Sequence, residues 1–235
     1  MPGLVINAGL SGNVNLLVAG TTTTPPLQFT SGVNNTTPVS GAEEFDGTDL
    51  YFTAAASSRQ IVDCEQFQSL TSNFTLSNVN TAQQALNGTA SGALSVQATT
   101  SYAIEGLYMI SNTGTTSHTW GILFGGTATI TAGPTFLSVL AYTSASGNVI
   151  TPFSGIFITG AGISAVTAVT AASTSATESV QIRYRGRIAI NAAGTLIPQL
   201  QLSAATGTAA TMLAGSYVRM WPIGAGAVVS VGNWS

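Results

Sequence analysis

The chain has 235 residues, of which 45% are apolar and only 6% charged, against roughly 25% charged in an average soluble domain. Its five cations are all arginine, and eight acids bring the net charge to −3, which excludes the basic footprint of a nucleic-acid-binding protein. A mean hydropathy of +0.38 excludes a disordered chain, because disorder needs low hydrophobicity together with high net charge.

Residues 1–58 are punctuated by Gly, Asn, Thr and Pro, as in Thr21-Thr22-Thr23-Thr24-Pro25-Pro26, and read as an extended N-terminal arm without a core of its own. Met1-Pro2-Gly3 opens no basic leader, and Asn7, Gly9, Gly12, Asn13 and Asn15 interrupt the apolar residues that follow. Synthesis in a cytosol is therefore expected. Within the arm, Asp46-Gly47 lies between Ala42-Glu43-Glu44-Phe45 and Thr48-Asp49-Leu50-Tyr51-Phe52, a strong hairpin signal. A two-residue turn there would set Glu44 opposite Asp49, a repulsive pair that Arg59 or a bound Ca²⁺ would relieve. The segment lacks the ligand spacing of a calcium loop, and no metal is assigned to it.

Residues 59–235 read as one oligomerising β domain. Thr and Ser, 34 and 25 in number, take the place of the Lys and Glu that build helices, and β-branched residues recur throughout. One short helix is expected at about 80–87, with Thr81 and Gln84 spaced as in a capping box. Elsewhere the period is two. Tyr102, Ile104, Tyr108 and Ile110 share one face of a strand, and Ala103, Glu105, Leu107 and Met109 share the other. Further strands are expected at 119–124, 127–131, 136–142, 154–159, 163–170, 179–190, 197–203 and 216–221, between breaks such as Gly125-Gly126, Gly133-Pro134 and Ser146-Gly147-Asn148. The fold class is thus all-β, a jelly-roll-like β-sandwich preceded by the arm and its hairpin. Residues 106–177 carry no Asp, Glu, Lys or Arg, yet Gly and Thr interrupt every apolar run before the roughly 18 residues of a membrane span. An outer-membrane barrel is disfavoured, because ten-residue alternating strands are only partly present.

The strand at 179–190 sets Arg183, Arg185 and Arg187 on one face, with Val180, Ile182, Tyr184, Ile188 and Ile190 on the other. Three of the five cations stand in that row. Guanidinium forks suit carboxylates, so the row is expected to meet Glu105, Asp63 or Glu65, or a partner chain; a solvated face and an anionic-glycan or phosphate site are the alternatives. Trp120, Trp221 and Trp234 suit a β core or an oligomer seam better than a sugar platform.

Enzyme chemistry finds few parts. His118 is the only histidine and, in a hydroxyl-rich turn, reads as a surface residue. Cys64 is the only cysteine, so no intrachain disulfide forms, and its acidic neighbours Asp63 and Glu65 oppose a nucleophilic thiolate. One Cys and one His cannot complete a zinc site. No Gly-x-Ser-x-Gly elbow is present. A carboxylate pair for glycoside cleavage could be drawn only from Glu105, Glu178, Asp63 and Glu65. No catalytic residue and no cofactor are assigned.

The string from Thr36-Thr37-Pro38 through Glu43-Glu44-Phe45-Asp46-Gly47-Thr48-Asp49-Leu50-Tyr51-Phe52-Thr53, followed by Arg59, resembles a segment of tail-fibre and other virion-surface proteins of tailed bacteriophages. Tyr102-Ala103-Ile104-Glu105-Gly106-Leu107-Tyr108, with Gly125-Gly126-Thr127-Ala128 after it, resembles the opening strands of the β-rich domain that follows that segment. The resemblance implies a non-enzymatic virion structural protein, a homotrimer held on the virion surface by the major capsid protein or another structural protein, with no nucleic acid or membrane as partner. The chain is short and lacks coiled-coil heptads and a collagen-like repeat, which favours a capsid decoration or cement protein. A short tail fibre or receptor-binding tip holding a host surface glycan is the other reading. The interface residues expected are Arg59, Glu105, Arg183, Arg185, Arg187, Trp120 and Trp221.

Overall fold

The computed structural model describes residues 19–55, 58–62, 64–86, 92–131, 135–144 and 151–225. The first 18 residues, Asp63, Trp234 and the turns at Gly133-Pro134 and Ser146-Gly147-Asn148 lie outside them. The described chain is all-β, built from antiparallel sheets, and two of these pack face to face as a sandwich.

Two long strands form the spine: β8 (Thr100–Asn112) and β14 (Glu178–Ala192) pair without interruption from Glu178 opposite Asn112 to Ala189 opposite Ser101. Their residues alternate inward and outward because successive side chains of a strand point to opposite faces. Tyr102, Ile104, Tyr108 and Ile110 of β8, with Val180, Ile182, Tyr184, Ile188 and Ile190 of β14, are buried. On one side of this pair β14 takes β11 (Phe136–Ser144) and the short β10 (Thr129–Ile130), and β12 (Thr151–Thr159) closes that edge. On the other side β8 is shared by β17 (Tyr217–Ala225) and β16 (Thr211–Met212), which in turn pair β4 (Gln66–Ser69) and β5 (Phe74–Thr75). These nine strands make the large sheet.

The small sheet has β9 (Trp120–Gly126) and β15 (Gly194–Leu202) at its centre, with β13 (Thr167–Ala168) beside β9 and the short β6 (Gln83–Gln84) and β7 (Leu94–Val96) beside β15. Trp120, Ile122 and Phe124 of β9 and Leu196, Leu200 and Leu202 of β15 meet the inward residues of the large sheet in one apolar cluster. Each such aliphatic side chain contributes roughly 1.5–3 kcal/mol by leaving water. Tyr184 fits between the layers: its ring stands edge-on to Phe124 at 5.8 Å and to Tyr108 at 5.3 Å, and the two tyrosine hydroxyls bond at 2.8 Å. That ring lies across Gly106 of the neighbouring strand, where no side chain could be accommodated.

Two local expectations change. The helix expected at 80–87 does not form: Gln83 and Gln84 pair Leu200 and Gln199 of β15, and the Gln83 amide bonds the backbone of Ser77 in both directions, at 2.8 and 3.2 Å. Tertiary pairing and the burial of Ala85 and Leu86 outweigh a weak helix propensity. Of the strand expected at 163–170 only β13, Thr167–Ala168, forms, after a 3₁₀ turn at Gly160–Ser164. Among the described residues no helix is long and apolar enough to cross a membrane.

The Tyr184 ring makes Gly106 the most size-restricted position of the spine. Gly106→Ala is expected to lower stability by about 1–3 kcal/mol through overpacking, measured as the urea midpoint. Gly162→Ala, where a methyl meets open space, should stay within about 0.5 kcal/mol of the parent; equal midpoints for the two variants would contradict the packing described.

Candidate interaction surface

The outward face of the large sheet is where the exceptional residues gather. Period two sends Ser138, Leu140 and Tyr142 of β11, Gln181, Arg183, Arg185 and Arg187 of β14, Glu105, Leu107 and Met109 of β8, and Tyr217, Arg219 and Trp221 of β17 to this side. Register lines them up in rows. One runs Ser138, Arg185, Glu105, Arg219, Phe67; the next runs Leu140, Arg183, Leu107, Tyr217, Ser69. The aliphatic members are half-buried, while Phe67 and Phe136 are 60% and 45% exposed. Two shallow hollows of about 540 and 520 Å³ lie side by side here and share Arg183 as a wall. Leu107, Leu140, Arg185 and Tyr217 line the first, and Met109, Tyr142, Gln181 and Leu213 the second.

The acid expected to answer the arginine row is engaged elsewhere. Although Glu105 stands in register with Arg185, its Oε2 accepts from Nε and Nη2 of Arg219 at 2.9 and 2.6 Å. The Glu105 carboxylate, by hydrogen bond and by charge, raises the Arg219 pKa further above its ordinary value. Glu65 reaches Arg219 as well, at 3.8 Å, and the guanidinium sits 5.3 Å from the ring centre of half-buried Trp221. Arg187 is half-buried and donates to Ser101 Oγ at 2.7 Å. Arg183 and Arg185 are exposed and make no ion pair or hydrogen bond among the described residues.

Trp120 belongs to a different place. It is wholly buried, so the expectation that it lines an interface is corrected: it packs in the core. The reading of His118 as a surface residue is also overturned. His118 is buried, with Nδ1 hydrogen-bonded to the Thr116 carbonyl at 2.8 Å and Nε2 hydrogen-bonded to Glu178 Oε2 at 2.8 Å. The same oxygen accepts from Trp120 Nε1 at 3.1 Å and from the Asn112 amide at 3.3 Å. Asn112 and Glu178 belong to the large sheet and Trp120 to the small one, with His118 just before it in an isolated bridge to Ser173, so this cluster ties the layers at one end. Glu178 Oε1 is buried without a partner among the described residues. Enclosed in this way, Glu178 cannot reach a substrate as one of a carboxylate pair.

A separate three-stranded sheet, β1 (Glu43–Phe45), β2 (Leu50–Ala55) and β3 (Ser58–Val62), begins in the arm and runs past its expected end at residue 58; it is called the arm sheet below. The expected hairpin is present, but its loop spans four residues: Phe45 pairs Leu50, so Glu44 faces Tyr51 and not Asp49. The reason is the Asp46 side chain, whose Oδ1 accepts from the backbone N–H of Thr48 and of Asp49, both at 2.8 Å, with Gly47 at φ 100°. Arg59 answers Glu44 at 2.8 Å, and its side chain therefore stays within the arm. The Asn35 backbone N–H foremost, helped by the hydrogen bond and charge of Arg59, holds the Glu44 carboxyl below its ordinary value against desolvation. Burial alone would raise Asp46, but the N–H groups of Asp49 and Thr48 and the Tyr51 hydroxyl outweigh it. Asp49 is pushed up by burial first and by the Asp46 charge second. Among the described residues no group of three or more His, Cys, Asp or Glu gathers to hold a metal ion.

Two outcomes follow from these buried groups. His118→Leu removes the shortest hydrogen bond of buried Glu178 and should cost about 1–3 kcal/mol, with part of the loss recovered by adding Glu178→Leu; urea unfolding of both variants checks this. Asp49 binds its proton more tightly folded than unfolded, so its effect on stability improves as pH falls from neutral toward its ordinary value of 3.8, whereas Glu44 and Asp46 contribute above their ordinary values and are lost below them. Asp49→Asn should therefore raise local stability at neutral pH and abolish the gain on mild acidification. Amide exchange of Tyr51 and Thr53, corrected for intrinsic rate, provides the measurement.

No protein-family profile and no curated protein matches the chain. Among solved structures it is similar to that of infectious bursal disease virus Gx strain, at 11% identity and a TM-score of 0.15 over 77% of this chain and 44% of that one. It is similar also to the VP2 subviral particle of the same virus, at 12% and 0.15 over 77% and 45%, and to the Gt strain, at 11% and 0.14 over 77% and 49%. The chain spans somewhat under half the length of these chains, and at such TM-scores the likenesses carry no weight for fold or function.

Proposed function

We propose that this chain is a non-enzymatic structural protein of a tailed-bacteriophage particle, a self-associating trimer set on the outside of the capsid as a decoration or cement protein. The observation that carries this reading is the open face of the large sheet. It combines half-buried Leu107, Met109, Leu140, Tyr142 and Tyr217 with the unpaired guanidiniums of Arg183 and Arg185. Subunit interfaces are enriched in aromatic residues, Met and Arg and depleted of Lys, Glu and Asp, and a lysine-free chain with 6% charged residues has that composition over its whole length. The resemblance of the segment at 36–59 to tail-fibre and other virion-surface proteins, with a β domain after it, supports a place on a virion. The chemistry is mechanical: each copy adds a set of weak contacts to the shell, and a symmetric oligomer multiplies them.

A receptor-binding tip would use the same hollows for a sugar. Arg183, Gln181 and the tyrosines 142 and 217 offer donors and flat rings for one, so the two readings are separated by experiment. The purified chain should sediment as a trimer, and particles assembled without it should lose resistance to heat and osmotic shock. A chain that remains monomeric at all concentrations, or particles equally robust without it, would contradict the decoration reading; adsorption to host cells with competition against infection would favour the tail tip.

A further inference from the structure

The arm's three-stranded sheet has one face engaged and one face open. Glu44, Tyr51 and Ile61 form one registered row and Thr53 with Arg59 the next; this side holds the Glu44–Arg59 pair and the buried Tyr51 and Thr53. The opposite side carries the rows Glu43, Phe52, Gln60 and Phe45, Leu50, Val62. Phe52 and Val62 are 37% and 40% exposed, and Glu43 is exposed. It is an apolar strip with a carboxylate at its rim.

The open face of the large sheet is the opposite in charge and alike in character, with an aliphatic floor and the unpaired Arg183 and Arg185 standing over it. Charge is segregated in the same sense along the chain. Residues 43–63 hold five acids and one arginine, a net −4, whereas residues 64–235 hold three acids and four arginines, a net +1. Within the described residues of one copy no carboxylate answers Arg183 or Arg185, because Glu105 is held by Arg219.

Building on the self-associating reading above, we propose that the open face of the 43–62 sheet of one copy seats on the open face of the large sheet of the next, with Phe52 and Val62 over the Leu107 and Leu140 floor and Glu43 against Arg183 and Arg185. The occupant of the hollows is a second copy of this chain. Two different patches meet in this contact, so it is head-to-tail, and in the trimer proposed above it closes into a ring. Opposite charges at its rim set the register and make association salt-dependent.

The test uses the full chain in sedimentation velocity across a concentration series. Reversing either side, by Arg183→Glu with Arg185→Glu or by Glu43→Arg, should weaken self-association by roughly tenfold or more, and the three changes combined in one chain should restore it. All three positions hold exposed side chains, and circular dichroism verifies that each variant is folded. A wild-type chain that associates while both reversals leave association unchanged overturns this contact and leaves the self-association reading standing. Weakening by the arginine reversals alone, without Glu43→Arg, overturns the arm sheet as occupant. Loss of binding to oligogalacturonate with association intact places a carboxylated glycan in the hollows and overturns it too. A wild-type monomer defeats both readings at once.

Discussion

The uninterrupted pairing of β8 with β14 governs the rest of the molecule. Twelve consecutive residues of each strand are locked opposite one another, and register cannot slip by one without turning every buried isoleucine and tyrosine outward. One face is thereby committed to the small sheet, through Ile104, Tyr108, Ile182 and Tyr184. The other face is fixed with equal strictness, so Arg183, Arg185, Glu105, Leu107 and Met109 stand together outside. The interior determines the exterior here: an arginine row exists because an isoleucine row does.

Charge economy makes that exterior unusual. A carboxylate in the chain is scarce, and each one described in the sandwich has a partner: Glu178 takes His118, Trp120 and Asn112 in the core, and Glu105 and Glu65 converge on Arg219. Two guanidiniums are left over on the face with the shallow hollows, beside aliphatic side chains that water covers poorly. Exposed apolar area ringed by charge is characteristic of a binding face. The arm sheet carries the converse pattern, with surplus acid beside Phe52 and Val62.

Much of this was legible in the residues. Alternation at 102–110 and 179–190 predicts the two spine strands and their buried faces, and the structure places them at Thr100–Asn112 and Glu178–Ala192. The Arg183, Arg185, Arg187 row follows from the same period, and a β core suits Trp120 on its residue type alone. What escaped depends on distance along the chain. His118 looks like a turn residue because its partner Glu178 is 60 residues away, and no local pattern signals that bond. The strand at Gln83–Gln84 is too short to carry a period and exists only because β15 lies beside it. The four-residue hairpin loop turns on the Asp46 carboxylate capping its own backbone, which the Asp-Gly signal alone does not reveal. Glu105 pairs across β17 and not β14, since either strand offers an arginine in register and side-chain reach decides between them.

The central claim is that the outward face of the large sheet is covered when copies assemble. Hydroxyl-radical footprinting of the assembled and the diluted chain reads this directly at Met109, Leu107, Leu140 and Tyr217. Strong protection of these side chains on assembly, with Leu27 and Val33 labelled equally in both states, is the predicted result; equal labelling of Met109, Leu107 and Leu140 in the two states would contradict it.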